Sequence, residues 1–191
     1  KFGEGSAVLL GDYVYAEAFQ RLSALGRPDL MTLFAGATMS MCEGEIAQYE
    51  NRYKFDLSET QYLTFLQRKT ASLMAASCRA GRMLAGLSSD ALKALETFGD
   101  RQGVAFQIVD DILDIEGDEA VVGKTLHTDL IHGKMTLPLI DYAAGLPTDD
   151  ARKTFHDFLR SPNGRVDAFI ADLRRSGVLE RSKAKVHSLL K

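Results

Sequence analysis

Gln107, Asp110, Asp111 and Asp114 recur at the i, i+3, i+4, i+7 spacing that stacks side chains on one face of a helix. Phe106, Ile108, Val109, Ile112, Leu113 and Ile115 fill the other faces, so the stretch from Gly103 to Ile115 reads as a helix surrounded by protein and carrying one polar stripe. Three carboxylates on such a stripe are an electrostatic problem. Asp110 and Asp114 lie one turn apart and repel each other even on an exposed helix. Burial without a partner costs more still, or shifts the pKa. A cation resolves the conflict. Carboxylate oxygens without accompanying His or Cys suit a hard ion, and Mg2+ held by one or two carboxylates usually completes its shell with water and substrate phosphates. The plainer alternative is an acidic first turn or a solvated edge. It fits less well, because the helix dipole favours acids at a helix start and these lie deep inside the apolar pattern.

Phosphates at the aspartates would require further donors, and three places supply them. Lys69-Thr70 lies among Leu63, Phe65, Leu66, Leu73 and Met74, where an ammonium and a hydroxyl can reach a bundle interior. Gly123-Lys124 and Gly133-Lys134 put two lysines beside glycines in a loop, as mobile point charges for phosphate. Glu45 and Gln48 share a helix face and are candidate polar residues of the same cavity. Taken singly, a lysine on an amphipathic helix usually snorkels to the surface, and loop lysines are commonly solvated. The aspartates give these positions their weight. His127, His132, His156 and His187 show no paired spacing with acids, so no catalytic histidine is expected.

The elements that must position these groups all read as helices, with no convincing alternating strand, so the class is all-α. Ser6 to Leu25 forms a first helix ended by Gly26 and Pro28, and Pro28 opens a second that runs to about Arg52. Ser58-Glu59-Thr60-Gln61 resembles a capping box at the head of a long third helix reaching about Gly86. The fourth runs from Ser89 to about Glu116 and carries the stripe; Gly99 and Gly103 inside it predict a close helix contact or a kink. A loop follows through Lys134, and then shorter helices near Thr136 to Ala144, Asp149 to Leu159, Val166 to Arg175 and Val178 to Leu190. Long helices with short connections imply antiparallel packing.

The 191 residues, 46% hydrophobic and 26% charged, fit one globular domain with a sizeable core, without repeats or an interdomain linker. A net charge of -3 with no aromatic-basic pattern gives no reason to expect nucleic acid. Cys42 and Cys78 lack metal-ligand spacing and read as reduced core thiols, which suits the cytoplasm. No apolar run is long enough to span a bilayer, and no signal peptide is evident.

The segment Phe106-Gln107-Ile108-Val109-Asp110-Asp111-Ile112-Leu113-Asp114 resembles the second aspartate-rich motif of the trans-isoprenyl diphosphate synthases, also called polyprenyl synthetases. Leu10-Gly11-Asp12, Gly44-Glu45 with Gln48, Arg68-Lys69-Thr70-Ala71, Gly123-Lys124, Asp129-Leu130 and Gly133-Lys134-Met135-Thr136-Leu137-Pro138-Leu139 match the family in order. The resemblance covers essentially the whole chain. It implies an antiparallel helix bundle of the isoprenoid synthase type around a central apolar cavity. It also implies a prenyltransferase that condenses an allylic prenyl diphosphate with isopentenyl diphosphate and works as a homodimer. Carried over by position, Asp110, Asp111 and Asp114 would hold Mg2+; Lys69, Lys124 and Lys134 would bind the phosphates. Gln107 and Thr70 would place oxygens near the developing cation.

One departure stands out. The family normally carries a first Asp-Asp-x-x-Asp motif and paired arginines just ahead of the position where Lys1-Phe2-Gly3 aligns. The expectation is therefore a single domain over residues 1–191, truncated at the N-terminus and at the C-terminus and catalytically incompetent alone. A non-catalytic scaffold subunit of a heteromeric prenyl synthase is the alternative, and a terpene cyclase a third reading. Retention of the aspartates and lysines argues against the scaffold. The motif Gly133-Lys134-Met135-Thr136-Leu137-Pro138 favours the chain-elongating branch.

Overall fold

A computed structural model describes residues 3–86, 89–123, 125–162 and 164–191, with the backbone alone at 89–92. Among the described residues every regular element is helical. The long elements are α1 (Glu4–Ala24), α2 (Pro28–Glu50), α3 (Glu59–Leu66), a π-helical turn (Gln67–Ala71), α4 (Ser72–Ala85) and α5 (Ser89–Glu116). Two short helices, α6 (Glu119–Val122) and α7 (Thr128–Ile131), lie within the expected loop. The chain continues through α8 (Leu137–Ala144), α9 (Asp149–Arg160), α10 (Val166–Arg175) and α11 (Val178–Leu189). Boundaries follow local chemistry. Pro28 sits in the first turn of α2, and the Ser58 hydroxyl accepts from Gln61 N–H while the Gln61 side chain accepts from Ser58 N–H, a complete capping box.

The third predicted helix is α3, the π turn and α4 run together, and it packs antiparallel to α5. Gly99 lies opposite Ala75, Gly103 opposite Ala71 and Asp111 opposite Tyr62. The two glycines inside α5 are there for contact rather than for a bend. A Cβ on Gly103 would lie 2.4 Å from Ala71 Cα, and one on Gly99 would lie 2.8 Å from Ala75 Cα. The obstacle is backbone, which cannot swing aside, so Gly103→Ala should cost about 1–3 kcal/mol of stability. A denaturation midpoint equal to that of the wild type would contradict this close approach.

One core cluster runs from Phe55 to Val186, with Tyr62, Leu66, Ile108, Ile112, Leu139, Leu159 and Leu173 among its deepest members. It gathers α3, α5 and α8 to α11, and the polar stripe of α5 lies along its edge. The expectation that α5 is enclosed on all sides needs correction. Phe106 is 54% exposed, and Val109 and Leu113 are exposed as well, because these i, i+3, i+7 residues form a flank that no described element covers. α1 has no buried residue and exposes Val8, Leu9, Leu10, Tyr13 and Val14. Both cysteines are free, but Cys42 is exposed rather than in the core.

Candidate active site

Asp111 is the centre of the polar stripe. It is 4% exposed, and its Oδ2 accepts a 2.6 Å hydrogen bond from the hydroxyl of Tyr62, which is itself fully buried. The Gln107 amide group donates to Asp111 Oδ1 at 3.1 Å and to Asp110 Oδ2 at 3.3 Å. The carboxylate oxygens facing Gln107 act as acceptors, so they hold its NH2 end toward themselves and turn Oε1 away. That oxygen accepts from the Thr70 hydroxyl at 2.8 Å. A continuous chain thus joins Tyr62, Asp111, Gln107 and Thr70, with Asp110 beside it and half-buried.

The carboxylates are under electrostatic pressure. Burial first, and then the charge of Asp129, raise the Asp111 pKa to about 7, against the hydrogen bonds from Tyr62 and Gln107. Asp114 shifts upward for the same two leading reasons. Burial and the neighbouring Asp111 charge push the Tyr62 phenol well above its ordinary value, so Tyr62 acts as a donor.

Lys69 approaches from the π turn. A π turn adds a residue to the helical repeat and is frequent at functional sites, and here it spans Gln67–Ala71 and so contains both Lys69 and Thr70. Gly44 on α2 makes room for it, since a Cβ there would lie 2.5 Å from Lys69 N. The Lys69 ammonium donates to Gln48 Oε1 at 2.8 Å and pairs with Glu45 Oε2 at 2.9 Å. The structure therefore brings Glu45 and Gln48 together with Lys69, and Thr70 together with Gln107.

Lys134 approaches from the other side. It forms a 2.6 Å ion pair with Asp129, and burial, which disfavours the ammonium, is outweighed by Asp129, Asp111 and Glu45, so its pKa rises. The backbone before it is pinned to the α2–α3 connection: Tyr53 N–H donates to Gly133 O at 2.8 Å. Gly133 has φ +66, which strains any side chain, and a Cβ there would also have to displace the Tyr53 ring, 2.3 Å away. Lys124 lies outside the described residues.

Asp114, 2% exposed, makes a different set of contacts. Its Oδ1 accepts from Thr128 N–H and the Thr128 hydroxyl at 3.3 and 3.1 Å, and its Oδ2 accepts from Asp129 N–H at 3.1 Å. Among the described residues no three acidic, histidine or cysteine side chains converge closely enough to hold an ion by themselves. The expected trio is therefore not a ready-made cage. The donor set still suits a hard cation bound jointly with phosphate, because the charges of Asp129 and Asp110 add to burial in raising the Asp111 pKa, while Lys134 answers Asp129 and Asp111.

Two site residues escape the sequence pattern. Tyr62 sits on the apolar face of α3 and reads as core. Asp129 enters the sequence reading only within the Asp129-Leu130 family match and without a role, although its charge acts, beside burial, on Asp111, Asp114 and Lys134.

The sequence profile of the polyprenyl synthetase family matches residues 1–172. The chain belongs to that family. It is 36% identical over 187 residues to heptaprenyl diphosphate synthase component 2 of Geobacillus stearothermophilus, covering 96% of this chain and 57% of that protein. Octaprenyl diphosphate synthase of Escherichia coli K12 is 32% identical over 186 residues, with the same two coverages of 96% and 57%. The crystal structure of a polyprenyl synthase from Caulobacter crescentus CB15, complexed with calcium and isoprenyl diphosphate, superposes with a TM-score of 0.87 at 28% identity. That match covers 97% of this chain and 57% of the Caulobacter chain. The chain thus shares the all-α isoprenoid synthase fold and spans somewhat more than half the length of these relatives.

Proposed function

We propose that the chain supplies the allylic-diphosphate side of a trans-polyprenyl diphosphate synthase. The observation that carries this reading is the convergence of Lys69-Thr70, Gln107-Asp110-Asp111 and Asp129-Lys134 from three separate stretches of chain onto one edge of the core.

The reaction begins when the bond between C1 of the allylic substrate and its diphosphate oxygen breaks, and both electrons leave with the diphosphate. The double bond of isopentenyl diphosphate then attacks C1, forming the new carbon–carbon bond. A proton is lost from the resulting cation, leaving a trans double bond and a chain one isoprene unit longer. The residues fit these demands. A divalent cation, Mg2+ by the oxygen donor set, would be held by Asp110 and Asp111 and supplies neutralisation of the leaving diphosphate. Lys69 and Lys134 bind the phosphate oxygens, and Lys124 is assigned the same role. Glu45 is the readily displaced partner, since its side chain is 57% exposed against 14% for Asp129. Thr70 and Gln107 face the developing cation with weakly nucleophilic oxygens whose directions are fixed by their mutual hydrogen bond. The released diphosphate is the base for the final proton.

Asp110-Asp111-Ile112-Leu113-Asp114 has no Asp-Asp-x-x-Asp counterpart elsewhere in these 191 residues, so the grip described here is one-sided. The bare apolar face of α1 supports a homodimer with a second copy. A second reading comes from the component name of the Geobacillus relative: the chain acts as one subunit of a two-component synthase. The buried carboxylates and their lysine partners argue against a purely scaffolding version. Incubating the purified full-length gene product with Mg2+, an allylic diphosphate and labelled isopentenyl diphosphate distinguishes these readings. Chain-extended, acid-labile product supports the first. Product only after a second component is added supports the other, and none under either condition contradicts both.

A further inference from the structure

Asp114 lies on the same stripe as Asp110 and Asp111, yet three of the roughly four acceptor positions of its carboxylate are already engaged within the protein. Both carboxylate oxygens receive donors from the first two residues of α7: Thr128 N–H, Thr128 Oγ1 and Asp129 N–H. The backbone oxygen of Asp114 accepts a fourth bond, from His127 N–H at 2.9 Å. His127 occupies the N-cap of α7 with φ +61 and contributes no side-chain cap of its own. The capping role passes to a carboxylate from another helix. The left-handed conformation is uncommon for residues other than glycine and persists only where surrounding contacts impose it.

We infer that Asp114 is a positioning residue, which clamps α7 to α5 so that Asp129 presents Lys134 to the diphosphate beside Asp111, and is not a ligand of the cation. The path is continuous. Asp114 fixes Asp129 N–H, the Asp129 carbonyl accepts from Lys134 N–H at 2.9 Å, and the Asp129 carboxylate pairs with the Lys134 ammonium at 2.6 Å. An octahedral ion needs lone pairs directed at it. Asp114 keeps one free lone pair, on Oδ2, in a residue that is 2% exposed, and turning the carboxylate toward a cation would strand amide donors and release the segment that carries Lys134.

This inference rests on the diphosphate-binding role proposed above, and its test separates the two. In the purified gene product, affinity for inorganic diphosphate is measured at saturating Mg2+, Mg2+ half-saturation at fixed diphosphate, and hydrogen exchange at the Thr128 and Asp129 amides. The isosteric Asp114→Asn replaces one acceptor by an NH2 group that opposes an N–H donor. It should speed exchange at both amides and weaken diphosphate binding about ten-fold, with Mg2+ half-saturation unchanged. Combined with Lys134→Ala it should add nothing, since the two act on one interaction. Thr128→Val, which removes a single donor and leaves Asp114 in place, should show a smaller change of the same kind and covers a fold-disrupting effect of Asp114→Asn. Unchanged amide exchange with Mg2+ half-saturation raised about ten-fold would overturn the inference, as would additivity of Asp114→Asn and Lys134→Ala. A wild-type protein that binds no diphosphate with Mg2+ would instead overturn the functional reading, and the exchange data would still decide whether Asp114 is the clamp.

Discussion

In the full-length gene product, Asp110→Asn is expected to lower the proposed prenyl transfer by at least about a thousand-fold, equivalent to roughly 4 kcal/mol of lost transition-state stabilisation, while the fold is retained. The substitution keeps shape and volume and removes one charge. Asp110 is half-buried at the open side of the stripe, where it receives the Gln107 amide at 3.3 Å. Its charge matters most as the diphosphate departs, because negative charge then grows on the oxygens facing it and must be met by a cation. Loss should therefore fall on kcat rather than on KM alone, since the interaction strengthens in the transition state. Steady-state kinetics at saturating allylic substrate make the check. Turnover within a few-fold of wild type would remove Asp110 from the site.

The second large effect concerns stability and pH. Asp111 carries a pKa of about 7 in the folded chain against an ordinary value of 3.8, because burial and Asp129 oppose its charge. Between those two values the folded state holds a proton that the unfolded state has released. Stability from this group is therefore highest at low pH and falls as pH rises from about 4 through about 7, with Asp114 adding in the same direction. The full difference of about three units corresponds to a ceiling of roughly 4 kcal/mol. Asp111→Asn removes the titration, so the metal-free variant should melt higher than wild type at pH 8 and show a flatter profile across this window. Melting curves from pH 5 to 8 without divalent cations are decisive. A wild-type profile that gains stability toward pH 8 would show that the carboxylate is better compensated than its surroundings imply.

Much of this site was legible in the sequence because a helix converts spacing into a face. Gln107, Asp110 and Asp111 needed no tertiary knowledge to be placed together, and Ser58 and Gln61 announced the start of α3 through their own capping chemistry. Other features depend on contacts that spacing does not encode. The π turn at Gln67–Ala71 lies where the bare backbone of Gly44 meets Lys69, a residue 25 positions away in the chain. Tyr62 joined the apolar face of its helix, and only the approach of Asp111 gives its hydroxyl a partner. Asp114 followed the stripe by period but belongs by contact to α7, because the intervening loop folds back over the end of α5. The exposed flank of Phe106, Val109 and Leu113 marks the limit of periodicity: the pattern identifies an apolar face without identifying what covers it.

A crystal structure of the gene product with Mg2+ and an unreactive thio analogue of an allylic diphosphate tests the central claim most directly. The account predicts phosphate oxygens within hydrogen-bonding distance of the Lys69 and Lys134 ammonium groups, with Glu45 displaced. It also predicts a cation bridging the diphosphate to Asp110 or Asp111, and Asp114 still bonded to Thr128 and Asp129. A diphosphate bound elsewhere, with the Lys69–Glu45 and Lys134–Asp129 pairs intact, would contradict it.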